Sequence, residues 1–206
     1  MFEFVKKKKK NGGMTYVELI VVLSIFGIMS SIVMFNYNDF QAKVDIKNLA
    51  NDIALEIVKA QKSAMGGKLP PQAQVQYLLA NNPDWKPSYG VYFDTSSSGQ
   101  KSFDYFVDLD GDKALNDFSC SGNNECLAKI DITKGNFVSK IEAVPFAHID
   151  RLSIIFTRPD SGAVFTKYES ENTVLSSSSV QIIISSKDGS AKAKINVYSS
   201  GRIQIN

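Results

Sequence analysis

Residues 14–35 read MTYVELIVVLSIFGIMSSIVMF, and they follow a leader, residues 1–13, that reads MFEFVKKKKKNGG. From Leu19 to Phe35 no side chain is charged. A helix needs about 20 apolar residues to cross the roughly 30 Å hydrocarbon core of a bilayer, so this segment is long enough to span one. Lys6–Lys10 place the N-terminus on the cytoplasmic side by the positive-inside rule. The sequence therefore predicts a single-pass protein of the cytoplasmic membrane whose head lies outside the cytoplasm.

The positive charge of the chain is concentrated in the leader. The whole chain is formally +2, and the first thirteen residues hold five lysines against one glutamate, so the remainder carries −2. Bulk charge therefore gives no reason to expect nucleic acid binding.

Two other kinds of N-terminal segment share the basic-then-apolar pattern. A secretory signal has an apolar run of about 7–15 residues and a small-x-small cleavage site, whereas this run is longer and NYNDF follows it at residues 36–40. A plain signal anchor explains the lysines and the hydrophobicity, but it does not explain Glu18.

Glu18 is a carboxylate at the start of the apolar segment. An ionised carboxylate costs on the order of 2.5–3.5 kcal/mol near the centre of a membrane helix and less near its end, and such a residue marks a functional site by default. Cleavage between Gly13 and Met14 would release an α-amino group on Met14, which a neighbouring copy would present to Glu18. The two charges compensate each other only in the assembly. Glu18 is therefore predicted to set the register between subunits.

The stretch KNGG followed by MTYVELIVVL, residues 10–23, closely resembles the processing site of type IV prepilins and pseudopilins. The resemblance implies that a prepilin peptidase cuts after Gly13 and N-methylates Met14. It makes Glu18 the fifth mature residue and Thr15 the second, both in the assembly segment. It also implies other pilin or pseudopilin subunits, an inner-membrane assembly platform and membrane lipid as partners.

The N-terminal segment departs from the usual sequence of this family at three positions. Met14 replaces the usual phenylalanine, and Tyr16 stands where an aliphatic residue is commoner. Phe35 occupies a position where major pilins often carry a proline. The missing proline favours a pseudopilin or minor subunit over a major fibre-forming pilin.

Beyond the membrane segment (14–36), an amphipathic half of the same helix is predicted over residues 37–66. Apolar residues recur there every three or four positions, which favours packing on the protein's own sheet over a separate coiled coil. Gly66-Gly67 and then Pro70-Pro71 end the helix. The apolar positions are Ile46, Leu49, Ala50, Ile53, Ile57, Ala60 and Ala64.

Residues 67–206 are predicted to form a β-rich globular head. Apolar and polar residues alternate in six short stretches separated by turn-rich segments. Helix first and strands afterwards indicate an α+β fold, type IV pilin-like, with the long helix packed on an antiparallel β-sheet. The last two stretches resemble the C-terminal hairpin of minor H-type pseudopilins. The six stretches are 89–93, 103–107, 152–156, 180–184, 193–197 and 203–205.

Alternating aspartates in the head predict a calcium site at Asp108, Asp110, Asp112 and Asp117. Carboxylates around a tight glycine turn are ligands that Ca²⁺ prefers, although the glycine is fourth here and not sixth as in an EF-hand loop. Such aspartates also make simple solvated turns. Cys120 and Cys126 follow closely and are predicted to form a disulfide if the chain is exported, with free thiols as the alternative.

No set of residues typical of an enzyme is visible, and the only histidine is His148. Basic residues near the C-terminus are explained either by a protected sheet edge or by a phosphate-binding strip for nucleic acid. These residues are Lys187, Lys192, Lys194 and Arg202, with Tyr198 nearby. The sequence thus predicts a structural subunit of a type IV pilus-like or type II secretion filament. The alternative is a membrane-anchored binding domain for adhesion or DNA capture, with or without calcium.

Overall fold

The computed structural model describes residues 12–82, 84–122, 124–144, 147–169 and 172–206. The predicted lysine run of the leader, Lys6–Lys10, lies outside these residues. The chain divides into two compact units, Met1–Phe40 and Gln41–Asn206.

The first helix, α1, spans Tyr16–Met65, a length of 50 residues. Thr15 caps its N-terminus, because the Thr15 hydroxyl accepts a hydrogen bond from the Glu18 backbone N–H at 3.3 Å. In the unit Met1–Phe40, an 18-residue window of α1 has a mean hydropathy of 2.4 and none of its residues is buried. By length and composition this helix could cross a membrane.

In the unit Gln41–Asn206, α1 buries one face in the core. The predicted apolar stripe is confirmed, since all but one of its members are at most 2% exposed and Leu49 packs partly buried against the same core. The helix ends where it was predicted to end. Gly67 adopts φ 65°, and the backbone N–H of Lys68 donates to the carbonyl of Ser63 at 3.0 Å. This is a left-handed glycine cap that satisfies carbonyls of the last turn.

The head contains a short helix and two antiparallel sheets. The six-stranded sheet has the order β3-β2-β1-β6-β7-β8, and the five-stranded sheet has the order β11-β10-β9-β4-β5. The helix α2 spans Gln72–Asn81. The strands are β1 Ser88–Asp94, β2 Ser102–Val107, β3 Cys126–Asp131, β4 Phe137–Val144, β5 Ala147–Ile149, β6 Arg151–Thr157, β7 Ala163–Tyr168, β8 Asn172–Leu175, β9 Ser179–Ser185, β10 Lys192–Tyr198 and β11 Ile203–Ile205.

The α+β class is confirmed, but the single sheet expected from the sequence is wrong. The alternating faces of β1 and β9, for example, both reach one core that also receives the buried face of α1. A strand that packs on this core shows the same alternation of apolar and polar residues whichever sheet it belongs to. Alternation therefore does not reveal whether the strands form one sheet or two. The strands of each sheet therefore have to be assigned from their pairing.

The outer face of the six-stranded sheet carries a second, smaller apolar cluster. Tyr92, Phe106 and Ile155 project from three neighbouring strands, and Leu115 and Cys126 pack with them. Gly90 makes room for this layer, because a Cβ there would lie 2.7 Å from the Phe106 ring. The segment that connects β2 to β3 therefore lies over this face of the sheet.

Candidate calcium loop and disulfide

The connection between β2 and β3, residues 108–125, holds all four predicted calcium ligands and Cys120. Its two ends are adjacent, because the backbone N–H of Val107 donates to the carbonyl of Glu125 at 3.0 Å. Cys120 and Cys126 form a disulfide with a Cα–Cα distance of 4.5 Å. The segment is thus a closed loop anchored on the outer face of the sheet.

Asp108 is the most buried acidic residue of the loop, with 1% of its surface exposed. One of its carboxylate oxygens accepts the backbone N–H of Gly111 at 2.7 Å, and the other accepts that of Lys113 at 3.2 Å. The Ser88 hydroxyl adds a bond of 3.3 Å. The carboxylate therefore folds the next five residues into a turn around itself.

Asp110 and Asp112 continue this turn on the exposed side of the loop. Asp110 accepts the backbone N–H of Asp112 at 3.1 Å, and Asp112 accepts that of Ala114 at 2.8 Å. The Asn116 amide donates to both carboxylates, at 3.0 and 2.8 Å. The carboxylates of Asp110 and Asp112 are thereby held close to each other by one side chain.

Lys113 takes the backbone conformation that calcium loops reserve for glycine. Its φ is 64°, and it is the sixth residue counted from Asp108. In a twelve-residue calcium loop the sixth position is a glycine because the chain turns sharply there. In the sequence the glycine, Gly111, is the fourth residue of the loop and not the sixth. The backbone nevertheless adopts a positive φ at the sixth residue, Lys113.

Glu125 is a member of this group that the sequence analysis missed. It is 6% exposed, and its two oxygens accept the backbone N–H groups of Leu109 and Asn116, both at 3.0 Å. Carboxylate oxygens of Asp108, Asp110 and Glu125 all lie within 4.8 Å of one another. The sequence marks Glu125 only as an acidic residue immediately before a strand. Its separation along the chain from Asp108 and Asp110 gave no reason to group the three residues.

Burial raises the pKa values of both inner carboxyl groups. It raises the pKa of Asp108 to about 6 and that of Glu125 to about 7, against the backbone N–H donors that stabilise the charged forms. Asp110 contributes to both increases as a neighbouring like charge. Within the described part of the chain, no lysine or arginine forms an ion pair with this group.

The other two predicted calcium ligands, Asp112 and Asp117, are not members of this group. Asp117 accepts the backbone N–H of Ser119 at 2.9 Å and is outside the group formed by Asp108, Asp110 and Glu125. Asp112 lies beside the group and also accepts an amide bond from Asn172 at 3.0 Å. A cation held here would thus take Asp108, Asp110 and Glu125 as its protein carboxylate ligands, with Asp112 next to them.

At the other end of the chain, the processing and assembly residues are exposed. Met14 is 59% exposed and follows Gly13 immediately before α1. Glu18 lies in the first turn of the helix, where a carboxylate is favoured by the helix dipole. Thr15 and Glu18 therefore also have a local role as helix-start residues.

The C-terminal basic residues lie near one edge of the five-stranded sheet. Lys192 and Lys194 are exposed on β10, and β11 is the edge strand beside it. The pairing of the two strands begins at Ile195, so Lys192 lies beyond the part of β10 that β11 covers. Arg202 stacks on Tyr198 with its guanidinium carbon 4.0 Å from the ring centroid.

No family model, no curated protein and no solved structure matches this chain.

Proposed function

We propose that the chain is a non-enzymatic subunit of a type IV pilus-like or type II secretion filament. The observation that carries this proposal is the position of α1 relative to the sequence motif. The helix begins at Tyr16, three residues after Gly13, and continues without a break to Met65, where its apolar stripe is buried in the head. A single helix therefore serves as membrane segment, assembly segment and core element of the head.

In this proposal a prepilin peptidase removes residues 1–13 and methylates the amine of Met14. The exposed apolar face of residues 16–34 holds the subunit in the cytoplasmic membrane until an assembly platform extracts it. Glu18 then pairs with the Met14 amine of a neighbouring subunit. Because a lone carboxylate among apolar side chains is costly, this pairing favours one register of neighbouring helices.

Mass spectrometry of the N-terminal peptide tests the processing step. Protein isolated from its native membrane is expected to begin at N-methylated Met14. Gly13→Val should leave the leader in place, because a side chain is introduced at the cleavage position, whereas Gly12→Ala is the matched control that should still be cut. A native chain that retains Lys6–Lys10 or is cut beyond Phe35 would contradict the proposal.

Substitution of Glu18 tests the assembly step. Glu18→Ala should leave membrane insertion intact and abolish or strongly impair incorporation into filaments, as measured by shearing and immunoblotting. Tyr16→Leu, on the same turn of the helix, is the control that keeps the charge pair. Normal incorporation of Glu18→Ala would show that the carboxylate has no assembly role.

The geometry of the β2–β3 connection favours a second candidate, a membrane-anchored domain that binds calcium. Asp108, Asp110 and Glu125 bring three carboxylates together without a cationic side chain paired to them among the described residues. Oxygen ligands at this density suit a hard cation that takes six to eight of them. This role is compatible with a filament subunit, and it would make docking of the head to other molecules depend on calcium.

Isothermal titration calorimetry of the full chain in a neutral detergent tests this candidate. After treatment with EGTA the protein should bind one Ca²⁺, and Glu125→Gln or Asp110→Asn should weaken binding at least about tenfold through loss of a charged ligand. Asp117→Asn is the matched control, because Asp117 lies in the same loop but outside the group. Equal losses from Asp117→Asn and Glu125→Gln would place the ion elsewhere or make its binding nonspecific.

A further inference from the structure

The disulfide of the β2–β3 connection has an unusual neighbour, the side chain of Asp104 on β2. A carboxylate oxygen of Asp104 and the sulfur atoms of Cys120 and Cys126 all lie within 4.8 Å of one another. Asp104 is 7% exposed, and its Oδ1 has no hydrogen-bond partner among the described residues. A buried polar atom without a hydrogen-bond partner lowers the stability of the fold, and such an atom in a folded protein is often kept for a functional role.

The two cysteines differ in their access to solvent. Cys120 is exposed, whereas Cys126 is 3% exposed and packs in the apolar cluster on the outer face of the sheet. An incoming thiol can therefore reach Cys120, and the sulfur that must leave in such a reaction is the buried one. A thiolate is a poor species to form in an apolar environment, because a buried charge loses its hydration.

Asp104 is placed to supply the proton that this buried sulfur needs. Burial raises its pKa, while Lys129 on the neighbouring strand lowers it and the nearby Asp131 and Asp94 raise it again. The protonated form of this carboxyl group is therefore favoured relative to that of an exposed aspartate. Asp104 pairs in the sheet with Lys129 on one side and Tyr92 on the other, so the strand fixes its position.

We propose that Cys120–Cys126 is an exchange-active disulfide and that Asp104 is its proton donor and acceptor. The co-reactant is a thiol or dithiol, either a small molecule or a side-chain thiol of another protein. This inference does not depend on filament assembly or on calcium binding.

The exchange runs in two steps. In the first step the co-reactant's thiolate attacks Cys120 Sγ and forms a mixed disulfide. The Cys120–Cys126 bond breaks, and its electron pair leaves on Cys126 Sγ. Cys126 Sγ then takes the proton of the Asp104 carboxylic acid. A second thiolate then attacks the co-reactant's sulfur in the mixed disulfide and releases Cys120 as a thiolate, which is protonated by water. Two thiols are thus oxidised to one disulfide while the protein's disulfide is reduced to two thiols. In the reverse direction the Asp104 carboxylate removes the proton of Cys126, which then attacks.

Glutathione is the probe that tests the proposal, with the full chain in a neutral detergent. The reaction is quenched by alkylation and followed by mass spectrometry. The mixed disulfide should form on Cys120 and not on Cys126. In Asp104→Asn the rate of reduction and the rate of reoxidation should both fall by the same factor, roughly 100-fold, because general acid–base catalysis acts equally on the two directions. The equilibrium constant with glutathione should then change by less than about twofold, in line with the same principle.

Asp117→Asn is the matched control, because it removes an exposed carboxylate of the same connection that is not one of the charges acting on Asp104, and it should leave both rates unchanged. Asp104→Asn rates equal to those of the parent protein would overturn the proposal. So would a shift in the equilibrium constant with one rate unchanged, which is the signature of a purely structural role. If Asp104→Asn does not fold, mapping the mixed disulfide in the parent protein remains decisive, since glutathione on Cys126 would exclude the mechanism.

Discussion

At the scale of single residues, Asp108 and Glu125 make the stability of the head depend on pH. Their pKa values in the folded chain, about 6 and about 7, lie above the ordinary values of 3.8 and 4.5. Between these values the folded state binds more protons than the unfolded state, so the free energy of unfolding falls as pH rises. In EGTA, urea unfolding should show stability that is fully present below about pH 4 and lost, by a few kcal/mol, as pH rises to about 7.

Two variants and one addition check this assignment. Glu125→Gln should reduce the pH dependence to the part due to Asp108, because the amide cannot ionise, and Asp117→Asn should not change it. Ca²⁺ should restore stability at pH 7 to a greater extent than at pH 5, since protons and the cation compete for the same oxygens. A stability that rises between pH 5 and pH 7 in EGTA would contradict the burial of these two groups.

Lys113 supplies a second prediction at this scale. Its φ of 64° is strained for a residue with a Cβ, whereas glycine adopts it readily. Lys113→Gly should therefore raise the free energy of unfolding in EGTA by about 0.5–1 kcal/mol. Gly111→Ala, at a φ of 83° two residues earlier, should lower it. Both changes are measured by urea unfolding, and two effects of the same sign would contradict the loop conformation.

At the scale of elements, the two halves of the α1 surface should respond oppositely to truncation. Ile57 is fully buried in the core of the head, whereas Leu55 on the same stretch of helix is 64% exposed. Ile57→Ala should cost about 2–5 kcal/mol because it leaves a cavity, and Leu55→Ala should cost less than about 0.5 kcal/mol. Equal losses in denaturant unfolding would mean that the exposed face of α1 is covered by another surface.

The same elements show how far the sequence predicts the fold. The period of α1 and the alternation in β9 and β10 are visible because each of these elements buries one face. Strands β1, β2 and β6 are buried on both faces, so their sequence alternation does not reveal the second apolar layer. The helix α2 was missed because Pro71 precedes it without a side-chain cap and only Gln74 and Leu78 are buried. Strand β8 is almost wholly exposed and joins the sheet at its edge, so pairing with β7 stabilises it and no apolar pattern marks it. Glu125 and the Asp104–disulfide contact depend on pairing between β2 and β3, which no local pattern encodes.

At the scale of the whole molecule, the division at Phe40 separates two kinds of substitution. Glu18 belongs to the unit Met1–Phe40, and Ile57 belongs to the unit Gln41–Asn206, although both lie on α1. Glu18→Ala should therefore leave the urea unfolding of the head unchanged within about 0.5 kcal/mol and impair only filament incorporation. Ile57→Val removes one methylene from the core and should cost about 0.5–1.5 kcal/mol while the subunit still assembles.

Crossing the two substitutions distinguishes a filament subunit from an anchored binding domain. In a filament subunit, the double variant should show the stability of Ile57→Val and the assembly defect of Glu18→Ala, since residues that share no contacts contribute additively. In an anchored domain that does not polymerise, Glu18→Ala should change neither stability nor any measured association, and calcium binding by the head should be the only function that substitutions alter. Measuring unfolding, sedimentation and calcium affinity on the same four proteins therefore separates the two roles, because only the filament role predicts an association that depends on Glu18.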